Sequence, residues 1–161
     1  MRLVFASLAV LALAACSKPQ EAAAPAETPK PASYAYDIAL SFTPAAVEKV
    51  TRRGDTVTIA ALYYGNATAA SASLADASDG TIHLNTDHVD VTPKDQTIHM
   101  TGEGVNTPNF DKIVEKKPLV QVTVIAMKAG KKDPVIACSV FQDYVTSAQA
   151  ASPLKIRCDA A

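Results

Sequence analysis

The sequence predicts a mainly β fold, an antiparallel β-sandwich carrying two or three short helices. Three observations predict it. Apolar residues alternate with polar ones over several short runs, the signature of strands with one buried face. Threonine–proline and glycine signals punctuate those runs, giving helix starts and stops. The stretch 34–161 is also long enough for a single core but divides into segments of strand length.

The strands justify themselves in order. "YAYDIALSF" puts Tyr34, Tyr36, Ile38, Leu40 and Phe42 on one face and smaller or polar residues on the other. "DTVTIAALYY" places Val57, Ile59, Ala61 and Tyr63 together. "LVQVTVIAM" is apolar on both faces, as in a central strand covered from two sides. "PVIACSVF" and "LKIRCD" complete the set. In the last, Leu154, Ile156 and Cys158 share a face, and Cys138 runs in phase with Ile136 and Val140.

Helices fall between them. Thr43-Pro44 supplies an N-cap with proline at the first helical position, and Gly54 closes the far end. Thr107-Pro108 repeats the device, with Pro118 as the stop. "FQDYVTSAQA" carries Phe141, Tyr144, Val145 and Ala148 at helical spacing. The order Thr-Pro, amphipathic segment, strand occurs twice, which raises an internal duplication.

The beginning of the chain differs in kind. "MRLVFASLAVLALAACSKPQ" has one basic residue and then an apolar run from Leu3 to Ala15. That run is shorter than the roughly 20 residues that span a bilayer, and its flanks are those of a secretory signal peptide, residues 1–15. Leu13-Ala14-Ala15-Cys16 resembles the lipobox of bacterial lipoprotein precursors. The resemblance implies cleavage before Cys16, lipidation of that cysteine, and a permanent membrane anchor. With Ser17 after the cysteine, the resemblance implies the outer membrane, on its periplasmic face. Residues 16–33 are rich in Ala, Pro, Glu and Lys, lack an aromatic and read as a disordered tether. Beyond it lies one domain, 34–161, whose sandwich is expected to be immunoglobulin-like or transthyretin-like. The whole resembles the small lipoproteins of Gram-negative envelopes.

That address decides the cysteines. The chain has three; with Cys16 lipidated, Cys138 and Cys158 are left in an oxidising compartment, where a disulfide is the default. Neither C-x-x-C spacing nor a nearby histidine supports metal or redox use.

Chemistry is sparse. There is no G-x-S-x-G, no H-E-x-x-H and no glycine-rich phosphate loop, so no enzyme and no cofactor is expected. The net charge of −1 and the isolated pairs Arg52-Arg53, Lys116-Lys117 and Lys131-Lys132 argue against nucleic acid. Asn66-Ala67-Thr68 matches a glycosylation pattern that the lipobox argues against, and "DASDG" lacks the ligand alternation of a calcium loop.

One constellation stands out, "TIHLNTDHVDVTPKDQTIHM". His83, His88 and His99 each lie opposite an apolar face, and the apolar phase shifts across Asn85-Thr86-Asp87, which requires a turn or bulge. If Thr92-Pro93-Lys94-Asp95 closes a hairpin, His88 opposes His99 at about 4.5–5.5 Å between Cβ atoms. With Asp90 on the same face, the pair is a candidate Zn²⁺ or Cu²⁺ site. The leading functional expectation is a non-enzymatic binding or accessory module acting on another envelope protein through sheet edges or loops. A periplasmic metal-binding protein is the alternative.

Overall fold

A computed structural model describes residues 33–127 and 133–161. The signal segment, Cys16 and the tether up to residue 32 lie outside the described residues. The element order is β1 (Tyr36–Phe42), α1 (Pro44–Arg53), β2 (Thr56–Asn66), β3 (Thr81–Val91), β4 (Gln96–Met100), β5 (Leu119–Met127), β6 (Ile136–Cys138), β7 (Phe141–Tyr144), α2 (Val145–Ala150) and β8 (Leu154–Ala160). The strands form two four-stranded sheets, β4-β1-β8-β6 and β3-β2-β5-β7. Pairing is antiparallel except between β1 and β8, which run parallel. This is the expected sandwich with short helices. An immunoglobulin arrangement keeps the first two strands in one sheet. Here β1 and β2 lie in opposite sheets, so the strand arrangement differs from that one.

The core follows from strand alternation. Ile38 and Leu40 of β1, Ile59 and Tyr63 of β2, Val120 and Val122 of β5, and Leu154 and Ile156 of β8 are all buried between the two inner faces. The last apolar row is closed covalently. Cys138 and Cys158 sit directly opposite each other in the β6–β8 ladder and form a disulfide, with Cys158 fully buried.

Helix α1 forms as its signals require. Thr43 Oγ1 accepts from the Ala46 N–H at 3.4 Å, and Gly54, at φ 67°, gives its N–H to the Val50 and Thr51 carbonyls. Between β2 and β3 the chain makes a 3₁₀ turn, Ala69–Leu74, and then the acidic loop 76–80. Asp76 accepts from Ser78 and Asp79 from Thr81, each through backbone N–H and hydroxyl.

Four expectations need correction. Strand β5 is covered on one face only: Val120, Val122, Val124 and Ala126 are buried while Ile125 and Met127 are exposed, because the sandwich has no third layer. Thr107-Pro108 starts no α-helix. The segment makes short 3₁₀ turns at Phe110–Lys112 and Val114–Lys116, and Glu115 and Lys116 both take φ 52°. Between those turns Ile113 bridges to Ala67 and fills the space that a side chain at Gly65 would need. That tertiary contact overrides the helical pattern, and the suggested duplication therefore extends no further than the strands. Residues 141–144 of the third helical candidate form the edge strand β7 along β5, so α2 begins only at Val145. Finally, Thr92-Pro93-Lys94-Asp95 closes no hairpin. Strand β3 pairs with β2 and β4 with β1, so the turn carries the chain from one sheet to the other. The Asp95 carboxylate accepts from the Phe42 N–H at 2.9 Å at the end of β1, while the Gln96 amide donates to the Thr92 and Lys94 carbonyls.

Candidate functional site

Because the chain changes sheet at 92–95, β3 and β4 end up as neighbouring edge strands of opposite sheets. Between them lies a hollow of about 290 Å³ lined by Thr86, Asp87, His88 and Val89 of β3, His99 and Met100 of β4, and Thr101. Successive strand residues point to opposite faces. Four consecutive residues of β3 line one hollow only if it runs along the strand's free edge, and the consecutive residues at the end of β4 say the same.

Register fixes what each side chain offers. Asp87 pairs with Ala61 and belongs to the inner face; His88 pairs with Ala60 and belongs to the outer face. His99 pairs with Asp37 on the outer face of the other sheet, where its Nδ1 lies 2.8 Å from the Asp37 carboxylate. His88 and His99 therefore project from opposite outer faces of the sandwich. Asp90 shares the His88 face, but its carboxylate accepts from the Thr58 hydroxyl at 2.6 Å. The expected cross-strand pair of His88 and His99, and with it the His88–His99–Asp90 ligand set, is not assembled. Among the described residues no group of three or more His, Cys, Asp or Glu is placed to hold a metal ion. All three histidines are exposed, as the apolar phase predicts. The bulge falls at Leu84: Tyr63 pairs with Asn85 and Tyr64 with His83, leaving Leu84 unopposed.

Behind the hollow lies a polar network that the sequence reading missed. The Tyr36 and Tyr63 hydroxyls are 3.4 Å apart and buried. Burial raises the Tyr36 phenol to about 12, against a lowering by its hydrogen bond to Tyr63 and a small rise from the Asp87 charge. Burial raises Tyr63 as well, with the neighbouring Tyr36 and a hydrogen bond to Asp87 adding to it. Both phenols stay protonated at neutral pH and serve as donors. Asp87 also accepts from the Gly104 N–H at 3.4 Å. A side chain at Gly104 would strike the Tyr63 ring and Asp87 at 2.6–2.8 Å, so glycine is what lets the 3₁₀ turn Glu103–Val105 lie against them. The signal for Asp87 was present. It stands in phase with Val89 and Val91, a carboxylate on a core-facing row.

Two other hollows are simpler. One of about 310 Å³ lies beside the C-terminal half of α1, lined by Lys49, Arg52, Arg53, Pro134 and Val135. A smaller apolar one lies between β5 and β6, with Met127 and Ile136 in its wall. No family model matches the chain, and neither a curated protein nor a solved structure matches it.

Proposed function

We propose that the protein is a lipid-anchored, non-enzymatic binding module of the bacterial envelope. It is held through Cys16 at the periplasmic face of the outer membrane, and it takes an extended segment of another envelope protein along the free edge of β3. The observation that supports this most is β3 itself, an 11-residue strand that pairs with β2 on one side and borders the hollow on the other. An unpaired edge offers a row of backbone donors and acceptors to an added strand. The lipobox resemblance and the tether support the address. A tether confines the search for a partner to the membrane surface and raises effective concentration there.

A photo-crosslinking residue introduced at His88 tests the reading in cells, with one at Lys155, on the outer face of the other sheet, as control. The expected result is a discrete envelope protein captured from position 88 and not from 155, and lost when Cys16→Ala releases the chain from the membrane. Equal capture from both positions, or none from position 88, overturns it.

A further inference from the structure

The hollow beside β3 combines three features. Its walls include Met100, buried against the core, and Val89, which packs on the same core. Asp87 is among its lining residues and stands on the inward-facing row of β3. Among the described residues no Lys or Arg forms an ion pair with Asp87. The Gly104 N–H and the Tyr63 phenol occupy part of its capacity, and a carboxylate offers about four acceptor positions. A hollow of mixed lining, with Val89 and the rim of Met100 among Thr86, Thr101 and two histidines, that also holds a half-buried aspartate suits a side chain with an aliphatic stem and a cationic head. The hollow lies along the free edge of the strand, within reach of a residue on a strand paired there.

From this we infer that the hollow between β3 and β4 is a specificity subsite for a lysine or arginine side chain, carried by the extended segment that pairs along β3. Val89, over the buried Met100, takes the methylene stem, and Asp87 takes the charged head. The inference rests on the edge-pairing reading given above and adds the chemistry of the partner: an alternating strand with a basic residue on the side facing the core. A neutral isostere in that place leaves the same stem contacts and gives up the charge-assisted bond. A glutamate sets two carboxylates against each other.

The test uses the full lipidated chain in detergent and three fluorescein-labelled peptides: Thr-Val-Lys-Val-Thr and its counterparts with norleucine or glutamate at the centre. Fluorescence anisotropy gives affinities, and hydrogen exchange read by mass spectrometry gives the location. The lysine peptide is expected to bind at least about tenfold tighter than the norleucine peptide, with glutamate weakest. It should protect the amides of β3, and Asp87→Asn should erase the tenfold preference without abolishing that protection. The lysine–norleucine comparison in the unaltered chain stands even if Asp87→Asn unfolds. Equal affinities with β3 protected overturn the subsite and leave the edge reading in place. No protection of β3 by any peptide overturns both.

Discussion

The two sides of the sandwich are built by the same kind of crossing and finished differently. On one side β6 passes into β7 through Ser139 and Val140; on the other β3 passes into β4 through residues 92–95. Each crossing joins edge strands of opposite sheets. The β6–β7 side has edges of 3 and 4 residues, and the disulfide bonds β6 to β8. Ser139 continues that pairing by donating to the Arg157 carbonyl and accepting from the Arg157 N–H. The β3–β4 side has edges of 11 and 5 residues, with a hollow between them. Short, stapled edges give a second chain little to pair with. The long edge is left available but guarded, with exposed His83, His88 and Asp90 on its outer face and the bulge at Leu84 breaking its register. One side is short-edged and covalently closed, and the other keeps a long unpaired strand.

The largest expected effect falls on the stapled side. Cys138 and Cys158 are 20 residues apart in sequence, and a loop of that length corresponds to roughly 3 kcal/mol of stabilisation. Replacing both cysteines by alanine should lower the unfolding free energy by about that amount in denaturant titration. Hydrogen exchange should accelerate in β6 and β8 before it does in β3. A loss under about 1 kcal/mol, or first opening at β3, breaks the contrast between the sides.

A smaller effect is expected behind the hollow. Tyr36→Phe removes one hydroxyl from the pair with Tyr63 and leaves the Tyr63–Asp87 contact, so its cost at neutral pH should be about 1 kcal/mol. The same variant sharpens a pH effect. The Tyr36 phenol rises from 10.0 when exposed to about 12 in the fold. Above pH 10 the unfolded chain gives up this proton while the folded chain keeps it. The stabilisation is therefore complete below pH 10 and is lost as pH rises through about 12. Melting temperatures between pH 9 and 12 should fall less steeply in Tyr36→Phe than in the unaltered chain. Parallel curves would detach the phenol pair from the alkaline transition.

Local signals in the sequence are legible because their physics is local. Alternation identified the buried rows Tyr36–Ile38–Leu40 and Val57–Ile59–Ala61–Tyr63. Thr43, Pro44 and Gly54 bounded α1 through bonds made within a turn of the helix. Strand partners are a different matter. Thr92-Pro93-Lys94-Asp95 tells where the chain bends and not which edge the next strand meets; that choice depends on Asp95 finding the Phe42 N–H, 53 positions away in sequence. The same non-local choice separates the histidines, since His88 opposes His99 only in a β3–β4 hairpin, and that pairing does not form. The helix expected after Thr107 failed for a related reason, because the packing of Ile113 against Gly65 is invisible in the segment's own pattern. Asp87 lies between these cases. Its core-facing phase was legible, while the company of Tyr36, Tyr63 and Gly104 depends on the assembled sandwich.

The smallest expected effect concerns those histidines, and it bears most directly on how open the β3–β4 side is. His88 and His99 leave the sandwich from opposite outer faces, and His99 already meets Asp37 in an exposed pair, an arrangement that contributes little in water. His88→Ala and His99→Ala should each change stability by no more than about 0.5 kcal/mol, and Zn²⁺ should bind the two variants as it binds the unaltered chain. A metal that binds only the folded state raises the melting temperature in proportion to its affinity, so a thermal scan with and without Zn²⁺ reads this directly. If Zn²⁺ raises the melting temperature and both histidines are needed, the two edges must rearrange, or the ligands must come from two copies of the chain. Protein concentration separates these. A zinc response independent of concentration means that one chain closes its own edge, and β3 would then be unavailable to a partner while metal is bound. A response that grows with concentration means that the edge meets a second copy.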